Sequence, residues 1–533
     1  MWKNFVLLMS IAGLLLGCKE VIPPPKQHLR IASVSEPASV DPQRVWDDSD
    51  YKILHALFEG LIVPDPETME PLPGVAETWT ISPDHRIYEF FLRDNAKWSD
   101  GSSVVADDFV YSASRALTSK FACSSVEMFF PLRNARAFFN RQIRNFSKVG
   151  ISAVTHRTLR IELEQSDPNF LTVLMHPCWS PLNKNVVDSF ARYNKGVTSG
   201  DIFRANVISN GPFGISERIM GTCMLLEKNP IYWDADNVIL SSVLFLFGWD
   251  QTSNMKKLAE KEVDIVEIQR DGEFALGDRI AKSEFGISPA FEMVALTFNM
   301  SNSAFADRNI RMAMSLAIDR ERILEEIEKN QALAAYNFFP CGDGDRPNGP
   351  LLKKDQQLAK KLFDDAGYGP SNKFPTIRML CNASESDLYL PVASRIADDW
   401  KAVLGIDTQI EYKEFSSFLE SRKKFHFDIV KSSYSGMYFD PALILLSLHS
   451  KNARNHGNWE NAKYDAIIEN IIGSENMPLR EGLIKSAELL LAEEIPIVPL
   501  FFESNSYLAR KRVRGWFPNI MNLHPLKFVY FAY

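Results

Sequence analysis

The sequence predicts an α/β fold, and three observations predict it. Strands and helices alternate through most of the second half of the chain, the pattern of sheets covered on their faces by helices, and the alternation argues for mostly parallel sheets. The length of 533 residues suffices for about three domains, or for two large lobes sharing one chain. An apolar share of 46% and a charged share of 24% are those of an ordinary globular body with a sizeable core. The net charge of −8 is mixed along the chain without long blocks, so little would be gained from counterion release on DNA or RNA.

The first segment, "MWKNFVLLMSIAGLLLGC", carries one positive charge at Lys3 and then an apolar run from Phe5 to Leu16. As a helix this run rises about 18 Å, well short of the roughly 30 Å hydrocarbon core, so a secretory leader is expected rather than a spanning anchor. It ends in Leu15-Leu16-Gly17-Cys18, which looks like a bacterial lipobox. That resemblance implies a signal peptide over 1–17 and lipid on Cys18; an ordinary leader with an incidental cysteine is the alternative. Residues 18–26 include three consecutive prolines, Pro23 to Pro25, a stiff tether that holds a folded body off a membrane surface. The expected place is a bacterial cell envelope, lipid-anchored and facing the periplasm or the outside.

The body opens with a strand, "HLRIASVS", and the proline-punctuated turn "EPASVDP". "DYKILHALFEGL" sets Ile53, Leu57 and Leu61 at helical spacing. "RIYEFFLRDN" alternates Tyr88, Phe90 and Leu92 on one face of a strand, and Ser99-Asp100-Gly101 turns the chain. Asp107 and Asp108 fall in the first turn of a helix carrying Phe109, Ala113 and Leu117, where carboxylates favour the dipole. Ile310, Ala313, Met314, Ala317 and Ile318 mark the clearest helical stripe. A helix over 388–404 stops at Gly405 and passes into the strand "IDTQIEY"; a last helix over 479–494 feeds "IPIVPLFF", a short buried strand.

Catalytic constellations are missing. The chain has no HExxH, GxSxG, GxxxxGK[ST] or strand-borne GxGxxG. His449 and His456 stand seven apart in an expected loop, a weak metal pair. No metal, cofactor or enzymatic activity is expected. Setting Cys18 aside, Cys123, Cys178, Cys223, Cys341 and Cys381 form no CxxC; a Cys123–Cys178 bridge is permitted, and buried thiols are the plainer expectation.

The segment 76–117, "AETWTISPDHRIYEFFLRDNAKWSDGSSVVADDFVYSASRAL", resembles the signature block of the family 5 extracytoplasmic solute-binding proteins, the dipeptide- and oligopeptide-binding lipoproteins of ABC importers. The likeness continues in "SNGPFGI", "LEKNPIYW", "LTFNMSNSAFADRNIRMAMSLAIDRERI", "AKKLFDDAGY" and "IPIVPLF", in the family's order. It implies a two-lobed periplasmic-binding-protein-like fold of type II, with an extra domain inserted in the first lobe and a two-strand hinge. The expected division is 27–73, 200–290 and 499–533 for lobe I, 74–199 for the inserted domain and 291–498 for lobe II. The implied partners are a peptide or peptide-like ligand held extended between the lobes and the permease subunits of an inner membrane, the receptor itself being a monomer.

Under the resemblance, Trp46, Asp47 and Asp48 face the ligand from the first lobe. From the second come Lys431, Tyr434, Ser435, Gly436, Met437, Tyr438 and Asp440, within "FDIVKSSYSGMYFDP". Peptide binders of the family commonly carry an aspartate where this chain has Met437, and methionine cannot neutralise an ammonium. Either Asp440 takes that part, or Asp47 or Asp48 does, or the ligand has no free α-ammonium there. Lys431 stands where some members hold a ligand carboxylate. A receptor for a metal chelate, sugar or cell-wall fragment, and an adhesin or sensor lipoprotein, remain as alternatives.

Overall fold

The computed structural model describes residues 27–532 except 34, 38, 45–47, 188–206, 269–284, 327–331, 341–350 and 384–385, and leaves out the side chains of 48, 49 and 386–389. The leader, the tether with Cys18, Trp46, Asp47 and Cys341 therefore lie outside the described residues.

Among the described residues an eleven-stranded sheet runs through the molecule, ten strands in one row and Leu333–Ala334 paired beside it with Phe501 and Phe502. At its middle lie two long neighbours, Phe285–Phe298 and Ile497–Ala509, paired antiparallel from Phe285 opposite Leu508 to Thr297 opposite Ile497. To one side follow Ile265–Glu267, Gln27–Ala32, Leu240–Leu246, Cys223–Lys228 and Phe213–Ile219. To the other follow Ile429–Ser435, Ile377–Asn382 and Thr408–Lys413. Each side is the sheet of one lobe, and the two long strands form the hinge between them. The sequence reading had the second of these as a short strand ending in the "IPIVPLFF" run. It continues to Ala509 because the chain stays buried almost throughout, from Ile497 to Asn505 without a break.

The expectation of mostly parallel sheets is corrected. Parallel pairs occur where Gln27–Ala32 meets its two neighbours and where Ile377–Asn382 meets its two. A chain that crosses between lobes and returns must run antiparallel to itself, so the sheet is mixed. The ladder of the hinge strands shifts register between Pro289 and Met293, where proline lacks the N–H a regular ladder needs.

A separate antiparallel sheet is built from Ala76–Ile81, Ile87–Leu92, Thr158–Glu162 and Ile151–Thr155. Tyr88, Phe90 and Leu92 are buried, as the alternation requires. The helix Ala106–Ala116 begins where Asp108 accepts hydrogen bonds from the Trp98 indole (3.1 Å) and from the amide of Val105 (3.0 Å). The second lobe keeps the buried stripe Ile310 to Ile318, but the helix Arg308–Ala317 stops there and restarts as Arg320–Glu326. The break lets the fully buried Arg320 donate to the Pro499 carbonyl of the hinge (2.8 Å). Cys123, Cys178 and Cys223 are free thiols, so the permitted Cys123–Cys178 bridge is not formed.

Candidate functional site

The strand Ile429–Ser435 leads into the site. Its start is fixed by Asn299, whose side chain donates to the Phe427 carbonyl (2.9 Å), and by Asp428, which accepts from Asn302 (3.0 Å) and from the amide of Arg378 (2.7 Å). From Glu292 to Phe298 one edge pairs with the hinge strand. On the other edge the register covers only Met379 opposite Ile429 and Leu380 opposite Val430. Among the described residues, from Lys431 onward the strand therefore has a sheet neighbour on one side only.

Lys431 is buried in the sheet opposite Leu296. Tyr434 is buried, and its hydroxyl meets Thr297 Oγ1 at 2.9 Å; burial pushes that hydroxyl up to about 12. Ser433 and Ser435 are exposed on the opposite face. Gly436 turns the chain in a space where a Cβ would lie 2.6 Å from Phe291 and from Leu443. Met437, Tyr438 and Phe439 then form one wall of a cavity of ≈ 230 Å³.

The opposite wall comes from the other lobe and the inserted domain. Met69 and Glu70 stand on the loop of a short hairpin, Ile62–Pro64 with Pro71–Pro73, and Pro71 opens its second strand. Asn169, Thr172, Met175 and His176 come from a helical segment after the four-stranded sheet, and Met521 and Leu523 from the C-terminal segment. His176 accepts at Nδ1 from the amide of Cys178 (3.1 Å), so its proton sits on Nε2, which donates to the Tyr51 hydroxyl (2.9 Å). Burial, with His55 nearby, holds His176 down at about 3, so it is a neutral wall residue. Burial also pushes the Tyr438 hydroxyl well up, aided by the charges of Asp440 and Asp167.

Asp440 lies behind this wall rather than on it. Its Oδ1 accepts from the amide of Ala442 (3.0 Å), capping the helix Pro441–Leu446, and its Oδ2 takes the Arg480 guanidinium at 2.5 Å. The expectation that Asp440 stands ready for a ligand ammonium meets a physical obstacle, since both its oxygens are engaged. Asp48 opens the helix Asp48–Leu57. The cavity thus brings together Met437 and Tyr438 from the sequence-named set. Glu70, His176 and Met521 were missed because they come from three distant segments without a motif. The one available signal was an apolar Met69 in a loop of turn formers.

Among the described residues no three metal-ligating side chains gather, and no helix is long and apolar enough to cross a membrane. The cavity lies between two walls that belong to different lobes.

Comparisons with known proteins fit this geometry. The periplasmic murein peptide-binding protein MppA of Escherichia coli is 29% identical over 500 residues, covering 92% of this chain and 90% of its own. The periplasmic oligopeptide-binding protein OppA of Salmonella typhimurium is 28% identical over 504 residues, covering 92% and 90%. The unliganded open form of the MppA murein tripeptide binding protein superposes with a TM-score of 0.81 at 28% identity, covering 95% of this chain and 98% of that one. A second structure under that name, from Escherichia coli, gives 0.72 at 27% identity, covering 96% and 99%. Residues 70–456 match the family model "Bacterial extracellular solute-binding proteins, family 5 Middle", a span that holds both the four-stranded inserted sheet and the strand leading to the cavity wall. The chain belongs to the bacterial extracellular solute-binding proteins of family 5.

Proposed function

We propose that this chain is the receptor of an ABC importer that holds a short peptide, extended, between its lobes and delivers it to a membrane permease. The observation that carries the reading is the strand Ile429–Ser435, which among the described residues has a sheet neighbour on one side only from Lys431 and runs directly into the cavity wall at Met437. Such an edge accepts a peptide backbone by strand addition, which is blind to side chains and suits many peptides. Relatives described as binding murein peptide and oligopeptide support the same class. Trp46, Asp47 and Asp48 would face the ligand from the first lobe; Lys431, Tyr434, Ser435 and Gly436 would line its path, and Met437 and Tyr438 would touch it.

In this reading the lobes divide at 27–73, 200–290 and 499–533 against 291–498, with 74–199 inserted. Ligand favours the closed arrangement and so shifts the population toward it, which the permease reads. The protein works as a monomer tethered through lipid on Cys18, and it binds without turnover. One observation favours a second reading, a non-peptide apolar solute: Met69, Met175, Met437 and Met521 all line the cavity, and methionine adapts to varied apolar shapes.

Mass spectrometry of whatever co-purifies with the full chain, released by mild denaturation, tests both. A mixture of short peptides, returned intact after long incubation, is expected. One dominant species without amide bonds would replace the peptide reading with the second.

A further inference from the structure

The charge of the cavity carries a sharper statement about its ligand. Of the described residues lining it, Glu70 is the one with a formal charge, His176 being neutral. The loop that presents Glu70 is held in a fixed shape. Asp65 Oδ1 accepts from the amides of Glu67 (2.9 Å) and Thr68 (2.8 Å), and the backbone pairs of Asp65 with Met69 and Glu70 close the turn. Met69 is kept in the left-handed region at φ 62°, a conformation a non-glycine residue adopts only when its surroundings impose it. The Glu70 carboxylate forms no ion pair among the described residues.

Among the described residues the nearest cations are already paired, Lys52 with Glu267 and Arg480 with Asp440. Asp167 stands two residues before the lining residue Asn169 within the field of Arg480 and Asp440. Three charges of which two are negative leave one excess negative charge behind the same cavity. A peptide lying across the cleft has one end that suits this place and one that does not. A carboxylate end would meet Glu70 and the field of Asp167; an ammonium end would be neutralised.

We propose that Glu70, on the first-lobe wall, receives the α-ammonium of the bound peptide, taking the part that Met437 on the second-lobe wall cannot. This rests on the peptide reading above and adds polarity to it: the peptide's N-terminus lies in the cavity.

The test uses the full chain in detergent and a randomised tripeptide mixture lacking Lys, Arg and His, offered with free or acetylated N-termini. Retained species are read by mass spectrometry. The wild type is expected to favour the free form at least about tenfold, as for loss of a charge partner. Glu70→Gln, with an unchanged melting temperature, should bring the ratio close to one, and Met437→Asp added to Glu70→Gln should restore it from the opposite wall. An unchanged preference in Glu70→Gln overturns the assignment, as does a wild-type ratio near one. Retention of neither form by the wild type overturns the peptide reading itself, and the polarity with it.

Discussion

Asp440 and Arg480 meet at 2.5 Å behind the cavity wall, and both are nearly sealed from solvent. Their pair fixes the helix that follows Tyr438 and Phe439 against the long helix Met477–Glu494. It acts on the position of the wall, and through that on the ligand. Asp440→Ala strands a buried guanidinium and removes a helix cap, with an expected loss of about 3–5 kcal/mol in urea denaturation. The preference between free and acetylated tripeptides should stay as in the wild type. A selective loss of that preference at full stability would return Asp440 to the ligand.

Glu59 is the knot of the first lobe. Its carboxylate accepts from the Tyr232 hydroxyl, the Trp233 indole (2.5 Å) and Lys527 (3.2 Å), while its backbone exchanges two hydrogen bonds with the Asn210 side chain (3.1 and 2.8 Å). Glu59→Ala leaves those donors buried with one acceptor fewer, and a cost of about 3–5 kcal/mol follows. Denaturation monitored by tryptophan fluorescence checks it, since Trp233 reports on the site directly.

Asp167 gives the stability a pH dependence. Burial, with Asp440 nearby, raises its carboxyl to about 6 against the ordinary 3.8. A raised acid is protonated more readily in the folded state, so its penalty is absent below about pH 4, grows between about 4 and 6, and is fully present above. Asp167→Asn should melt higher than the wild type at pH 8, by no more than about 3 kcal/mol of stability, with the gap closed at pH 4. A gap independent of pH would show that the carboxyl titrates normally.

Gly211, in "SNGPFGI", lies against the end of the first helix. A Cβ there would stand 2.6 Å from the Ala56 carbonyl oxygen and 2.7 Å from that of Leu57, and backbone cannot yield as a side chain does. Gly211→Ala should cost at least about 1–3 kcal/mol by overpacking. Differential scanning calorimetry against the wild type measures it, and an unchanged melting temperature would mean that the helix end moves freely.

Much of the fold was legible because its motifs are structural. "FEGL", "SNGP" and "NPIYW" converge on Glu59; Trp98 and Asp108 of the signature block bond each other; Arg311 of "ADRNIR" holds the carbonyls of Glu494 and Ile495 at the end of the last long helix. Such contacts demand particular residue types at particular places, which is what makes a block recognisable. The parallel or antiparallel sense of the sheet was not legible, because alternation of strands and helices does not say that two strands cross between lobes. The cavity was half legible. Met437 and Tyr438 belong to one segment with an unusual composition, whereas Glu70 and His176 reach the site only through folding of segments that carry no pattern. A capping aspartate before proline and a ligand-facing one read alike in sequence, and the structure gives Asp440 the capping place.

The register shift in the hinge strands between Pro289 and Met293 has a mechanical meaning. On one side of it Phe285 to Pro289 stay zipped to Ser504 to Leu508; on the other Ala295 to Thr297 stay zipped to Ile497 to Pro499. Between them only Met293 with Phe502 and Val294 with Phe501 keep the pairing, flanked by a second shift before Ala295, so the ribbon can twist there with few ladder bonds to tear. Swinging one half against the other then asks for torsional changes in a handful of residues, a motion of microseconds to milliseconds rather than the far slower loss of the fold. The receptor can sample its grip many times during each encounter with a passing solute and still come apart as a single body only when the whole ribbon unzips.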